Sequence, residues 1–352
     1  VRGRRAFLAR LAALSVLVPV RAAAQGFAGL ATEAEGFTLP RPDPTFSFPA
    51  DHGPHHDFRI EWWYVTANLK GPDGTPYGVQ WTLFRSALAP AEAEGWDSPQ
   101  VWFGHAALTT PERHFATERY ARGGIGQAGV TAEPFAAWID EWHLQGETLS
   151  DVAMAATGPD FGYDLALVAE GPLVFHGEGG FSVKSDAGQA SYYYSQPFYR
   201  AEGRLLLPSG TVEVTGRAWL DREWSSQPLE ETQEGWDWFS LHFESGERLM
   251  LYRLRESGGG AYTAATWIAA DGTAEAVPDG YATAEPLESG EVAGRQVPLV
   301  WRLRWPERGL DVVTRPVNPN AWMGLTIPYW EGPVSVEGSH DGRGYLEMTG
   351  YE

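Results

Sequence analysis

The chemistry open to this chain rests on carboxyl groups set among tryptophans. Trp219, Asp221 and Glu223 follow one another at every second position, so in a strand they share one face. Two carboxyls at that spacing beside an indole can be driven to different pKa values and serve as acid and base. The alternative is a structural network with Arg217 and Arg222. Asp237 lies between Trp236 and Trp238 and in phase with Phe239, Leu241 and Phe243. An acid on such an apolar face has a raised pKa and can protonate an alkene; capping a turn is the plainer role. Glu61 heads the face of Trp63, Val65, Ala67 and Leu69. If buried, it needs a partner, and Arg59 and Arg85 are at hand, as a structural ion pair or around a ligand.

Asp51-His52-Gly53-Pro54-His55-His56-Asp57 concentrates three histidines and two acids. Gly53-Pro54 makes it a loop, and it lacks the spacing of a zinc-binding helix, so no metal is expected. His105 shares a face with Val101, Phe103 and Ala107, which suits a hydrogen-bonded core or pocket histidine. Strand alternation sends Tyr193 one way and Tyr192 and Tyr194 the other. No Gly-x-Ser-x-Gly elbow, phosphate loop or dinucleotide fingerprint is present, so no cofactor is expected. An aromatic ligand pocket would draw on Glu61, Trp63, Tyr64, Arg85, His105, Tyr193, Trp219, Trp236, Trp238 and Tyr252, with Asp237, Asp221 and Glu223 as candidate catalytic groups.

The elements that must position these groups are strands. From residue 58 onward, short alternating runs are separated by Gly, Pro, Asp and Asn, which is an all-β pattern. Strands are predicted at 60–69, 77–85, 101–109, 163–168, 191–199, 204–207, 211–222, 236–244, 248–255, 262–268, 298–304, 310–314, 331–338 and 343–350. Short helical turns are expected at 90–94 and 111–122. The two halves echo each other. Glu61-Trp62-Trp63-Tyr64 and Trp236-Asp237-Trp238-Phe239 each open a strand, and each is followed by a strand ending in arginine, at Arg85 and Arg253. Two antiparallel β-barrel domains, 51–225 and 226–352, would leave few free edges.

The 16 tryptophans among 352 residues supply large apolar surfaces for cores or a pocket. The chain has no cysteine, which excludes disulfides and thiolate chemistry. Its net charge of −20 argues against nucleic acid or an anionic membrane as partner and suits a neutral, apolar ligand. Arg4-Arg5-Ala6-Phe7-Leu8, the apolar run to Val20 and Ala22-Ala23-Ala24 form a leader of the twin-arginine kind. Residues 1–24 are expected to be cleaved near Ala24 and the protein to work in a periplasm. Residues 25–50 would be an extended arm, and no later stretch is apolar enough to anchor it in a membrane.

Several segments together resemble the AttH-like family, which includes the carotenoid 1,2-hydratases (hydroxyneurosporene synthases). They are Asp51-His52-Gly53 through Tyr64, Trp81–Arg85, His105–Leu108, Ser191–Ser195, Gly216–Trp224, Gly235–Phe239, Tyr329–Gly332 and Gly344–Tyr351. The resemblance runs in order over residues 45–352. It implies two lipocalin-like barrels and, in the hydratases, addition of water to an isoprenoid alkene without a cofactor. The leader resembles that of the exported branch, described as predicted secreted hydrolases and often encoded beside an exporter-like transporter.

Three readings follow. The chain is a cofactor-independent hydratase or hydrolase-like enzyme, a periplasmic carrier of an apolar molecule working with an ABC-type transporter, or a structural partner in an envelope complex. An acid unpaired beside tryptophan in a pocket favours the first; acids tied up by arginines favour the second. Trp-rich motifs in both halves favour a pocket between the two barrels.

Overall fold

The structure is a computed structural model and describes residues 36–351 except 228 and 231. The leader lies outside the described residues. Those residues form 23 strands and no α-helix. None of their segments is a helix long and apolar enough to cross a membrane.

The strands build two curled antiparallel sheets, a near-barrel and a half-barrel. The first starts with β1 (Ile60–Lys70), β2 (Pro76–Ala87), β3 (Gln100–Thr109) and β4 (His114–Arg122). It continues through a meander of β5 (Ala128–Ala132), β6 (Phe135–Ile139), β7 (Trp142–Thr148), β8 (Asp151–Thr157) and β9 (Gly162–Ala169). Two short strands follow, β10 (Val174–Phe175) and β11 (Phe181–Val183), then the long hairpin β12 (Ala190–Leu207) and β13 (Gly210–Ser225). The order across the sheet is β4-β3-β2-β1-β13-β12-β9-β8-β7-β6-β5, with β10 and β11 on β12.

The second sheet comprises β14 (Gln233–Phe243), β15 (Arg248–Glu256), β16 (Ala261–Ile268), β17 (Ala274–Val277), β18 (Thr283–Val292), β19 (Arg295–Trp305), β20 (Leu310–Pro316), β21 (Trp322–Met323), β22 (Tyr329–Gly338) and β23 (Gly342–Met348). Its order is β17-β16-β15-β14-β23-β22-β20-β19-β18, with β21 on β22. The echo in the sequence is an echo in topology. In each sheet the first strand lies between the second and the last: β1 between β2 and β13, β14 between β15 and β23.

Period-2 alternation decides what each sheet encloses. Trp63, Val65, Ala67 and Leu69 of β1 face the interior of the first sheet with Trp81, Leu83, Trp102 and Trp142. Phe239 and Leu241 of β14 face the interior of the second with Trp301, Trp305 and Trp330. Both interiors are thus packed with side chains. The alternate residues form a third apolar layer between the sheets, with Tyr64, Tyr193, Trp219, Trp238, Tyr252 and Tyr345 at its centre. At Gly78 the sheets come so close that a Cβ would stand 2.6 Å from Pro333 and 2.9 Å from the Tyr345 hydroxyl.

Several expectations are corrected. Residues 114–122 form strand β4, not a helical turn, and 90–94 carry no helix; a 3-10 turn follows at Gly95–Asp97. The runs 191–199 and 204–207 are one strand with a bulge between Gln196 and Tyr199. Strands β5, β6 and β8 escaped the sequence reading because they are short and rich in alanine, and β7 because Gln145, Gly146 and Glu147 interrupt its alternation; alanine, glycine and glutamate are weak strand formers. β18 escaped because it carries polar residues and Pro286, which its place at the sheet edge and two bulges accommodate.

Candidate functional site

The cleft between the sheets is built by strand register. On β13, Trp219, Asp221 and Glu223 point toward the second sheet while Ala218, Leu220 and Trp224 point into the first core. Tyr64 lies opposite Asp221 and Trp62 opposite Glu223 across β1 and β13. Ser195 and Tyr193 lie opposite the same two acids across β12. The second sheet answers with Trp236 and Trp238 of β14, Tyr252 and Leu254 of β15, and Glu347 of β23, which lies opposite Trp238. Lys184, Gln189, Gln227 and Leu229, from the segments joining β11 to β12 and β13 to β14, border the cleft. The empty space, counting its solvent-open mouth, is about 920 Å3.

Asp221 is buried and its carboxyl is held by neutral donors, while the nearby Lys184 pairs with Glu223. Its Oδ1 accepts from the Trp219 indole N–H at 2.7 Å and from the Ser195 hydroxyl, and the Tyr193 hydroxyl also donates to the carboxyl. Burial pushes its pKa up to about 7, against the Ser195 and Trp219 hydrogen bonds; the Glu223 charge adds to the upward push. Glu223 is held differently, by Lys184 at 2.8 Å and by the Ser191 hydroxyl. Burial works against the Lys184 ammonium, but Glu223 outweighs it and the lysine pKa is raised. The Lys184 ammonium also stands 4.3 Å from the Tyr252 ring centre and 4.9 Å from that of Tyr193.

Glu347, on the opposite sheet, accepts from the Trp236 indole at 2.5 Å and lies within hydrogen-bonding reach of the Tyr64 hydroxyl oxygen. Burial carries its pKa to about 7 as well. Behind it, Glu331 accepts from Tyr64 and Tyr329, and burial raises its pKa well above the ordinary value, with Glu347 adding to the effect. Neither glutamate was singled out in the sequence as a site residue. Both lie inside family-like motifs, Tyr329–Gly332 and Gly344–Tyr351, and their phase with Tyr329 and Tyr345 was the available signal.

Of the residues expected at a site, the cleft brings together Asp221, Glu223, Tyr64, Tyr193, Trp236, Trp238 and Tyr252. Trp219 lies just behind, bonded to Asp221. Asp237, expected as the acid, does not line the cleft. Its carboxylate binds Arg253 at 2.9 Å, Arg255 at 2.7 Å and the Tyr351 hydroxyl. Burial raises its pKa even against those arginines, yet its oxygens are committed away from the cleft. Glu61, Trp63 and Arg85 are likewise outside it. Glu61 is fully buried between Arg85 and Arg222, with His55 bonded to it at 3.1 Å. Burial raises its pKa, but the two guanidiniums prevail and hold it well below the usual range. The register makes the two acids counterparts: Glu61 faces Arg85 in the first sheet as Asp237 faces Arg253 in the second.

His105 is buried in the layer between the sheets but away from the cleft, 2.9 Å from the Tyr329 hydroxyl. The histidines of the 51–57 loop bind separate partners: His52 the Tyr194 hydroxyl, His55 Asp51 and Glu61, His56 Glu92. Among the described residues no three metal-ligating side chains converge.

Fold and site together define a two-sheet β protein with an acidic, aromatic cleft between its sheets. The profile of the AttH-like family matches residues 39–351, and the chain belongs to that family. A crystal structure of a protein described as an AttH from Nitrosomonas europaea superposes with a TM-score of 0.79 at 32% identity, covering 90% of this chain and 100% of that one. Kievitone hydratase from Nectria haematococca is similar in fold, with a TM-score of 0.66 at 15% identity, over 90% of this chain and 96% of that one. No curated protein sequence matches significantly.

Proposed function

We propose that this protein is a cofactor-independent hydratase acting on a neutral, apolar alkene of isoprenoid or lipid type. The observation that carries this reading is Asp221: a carboxyl held by indole and hydroxyl donors and not by an ion pair, in an apolar cleft with tryptophans, and with its pKa near 7. Such a group is half protonated at neutral pH, the state that suits a general acid. Its proton adds to one alkene carbon, leaving a tertiary cation. The ring faces of Trp236, Trp238, Tyr193 and Tyr252 stabilise that cation. A water molecule attacks it and gives up a proton to the Glu223 carboxylate, which Lys184 holds in place. Glu347 offers a hydrogen bond to the new hydroxyl from the opposite sheet. The family membership and the hydratase of similar fold support the same reaction class.

The test is incubation of the purified protein with a panel of prenylated and acyclic isoprenoid alkenes in heavy-oxygen water. Labelled alcohol formed by the wild type and lost in Asp221→Asn supports the reading. Binding of those compounds without turnover would replace it with the carrier role beside an ABC-type transporter. We further propose export by the twin-arginine route to a periplasm, on the strength of Arg4-Arg5 and the apolar run behind them. Fractionation of cells expressing the full chain and an Arg4→Lys/Arg5→Lys variant tests this; processed protein in the periplasm of both would exclude that route.

A further inference from the structure

Asp221 is backed by a chain of buried hydrogen-bonding groups that leads away from the cleft. The Ser195 hydroxyl donates to Asp221 Oδ1. His176 Nε2 lies 2.6 Å from that same hydroxyl oxygen, and His176 Nδ1 lies 2.9 Å from the Thr266 hydroxyl. All four side chains are buried, His176 and Thr266 completely. Thr266 belongs to the wall of a second groove, with Gly177, Ser182, Tyr262 and Pro278, and Tyr252 borders both this groove and the cleft.

The polarity of this chain follows from proton counting. Ser195 has one proton and gives it to Asp221, so its oxygen must accept from His176 Nε2–H. His176 Nδ1 is then the acceptor, and Thr266 must donate to it. Every donor points the same way, toward Asp221. Oδ1 accepts from both Ser195 and Trp219, and it is the oxygen at which a proton passed along this chain arrives.

We propose that Thr266, His176 and Ser195 form a relay that returns a proton to Asp221 after each turnover, by a route separate from the apolar cleft. This rests on the reading of Asp221 as the acid. The balance closes. Asp221 gives one proton to carbon, and Glu223 takes one from water. One proton enters from the groove side: Thr266 gives its own to Nδ1 and takes the new one, Nε2 gives its proton to Ser195, and Ser195 gives its own to Asp221 Oδ1. His176 is left as the Nδ1–H tautomer. Exchange back to Nε2–H with rotation of the two hydroxyls resets the chain, and Glu223 releases one proton to solvent. His176 is neutral before and after; burial holds its pKa well below the ordinary value and Lys184 adds to that. The other ionisable groups facing Asp221 are Glu223 on its own strand, Tyr193 on β12 and Lys184 beyond β11. Through this relay His176 and Ser195 are positioning residues for the acid, since neither lines the cleft.

The test uses the whole protein and needs no substrate. Nitrogen-15 NMR of labelled histidine, with His176→Asn for assignment, reads the tautomer. The relay requires the Nε2–H form across the pH range in which Asp221 titrates, and an Nδ1–H form overturns it. Carbon-13 NMR of labelled aspartate, assigned with Asp221→Asn, reads the Asp221 midpoint. Ser195→Ala removes a donor to the anion and should raise that midpoint by about one pH unit, while Ser195→Thr should restore it. Infrared spectroscopy after rapid dilution into heavy water reads deuterium exchange of the Asp221 carboxyl. Exchange should slow about tenfold in both Ser195→Ala and His176→Asn, as a barrier raised by one lost relay step implies. Exchange unchanged in both variants means the proton comes through the cleft and the relay is wrong. Failure of the hydratase reading appears elsewhere, as binding of the isoprenoid panel with no labelled alcohol formed by the wild type.

Discussion

Asp221 and Glu223 stand two residues apart on one strand, yet one meets indole and hydroxyl donors and the other a lysine. That difference sets an acid beside a carboxylate. Asp221→Asn is expected to lower hydration of a responsive isoprenoid by about a hundredfold or more. It should leave quenching of tryptophan fluorescence by the same compound nearly unchanged. Turnover that survives the substitution would move the proton donor to Glu347, to be checked with Glu347→Gln. The same two buried acids have a stability signature. Asp221 and Glu347 titrate near pH 7 in the fold but near 4 when unfolded. The folded state therefore holds the proton more tightly. Their contribution is fully present below about pH 4 and is lost, at about 1 kcal/mol per group per pH unit, as pH rises toward 7. Thermal melts of Asp221→Asn/Glu347→Gln should show a flatter decline over that window than the wild type. Equal slopes would refute the raised values.

At the scale of elements, the ends of β1 and β14 carry matched locks. Glu61 joins β1 to β2 and β13 through Arg85 and Arg222, and Asp237 joins β14 to β15 through Arg253 and Arg255. Truncating Glu61 to alanine strands two buried guanidiniums, and a loss of about 3–5 kcal/mol in urea unfolding is expected. The Asp237→Ala loss should be smaller, since Arg253 and Arg255 are partly exposed. Equal losses would show that Arg85 and Arg222 find other partners. β2 supplies a different control. At Gly78 there is no room for a side chain against Pro333 and Tyr345, so Gly78→Val should prise the sheets apart locally. A lowered melting temperature together with weaker binding of N-phenyl-1-naphthylamine, a neutral fluorescent probe, is the expected pair of changes.

At the scale of the whole molecule, the ligand space follows from how a filled near-barrel and a filled half-barrel meet. Each interior is occupied by its own tryptophans, so the only face each sheet has left for binding is its outer one. The layer between them joins Tyr64, Tyr193 and Trp219 to Trp238, Met250 and Tyr345 without a break. The two sheets should then unfold together, in one calorimetric transition whose van't Hoff and calorimetric enthalpies agree. Two separated transitions would show that the boundary expected near residue 225 divides independent folding units.

The sequence by itself determined the β class, most strand positions and which residues share a face. Alternation is a local property: Trp219, Asp221 and Glu223 fall together whatever lies beyond, as do Trp62 and Tyr64. It also carried the family, through motifs spread along the whole chain. Which face meets solvent, a core or a ligand was decided by tertiary structure. Asp237 and Asp221 read alike in sequence, each an acid among tryptophans: one between Trp236 and Trp238, the other two residues from Trp219. Only the register with Arg253 and the approach of Arg255 turned one into a lock, and only burial among indole and hydroxyl donors, with the nearby Lys184 paired to Glu223, left the other an acid. Glu347 and Glu331 joined the site for the same reason. Their charges matter because a sheet far away in sequence buries them, and burial is a property of the assembled chain.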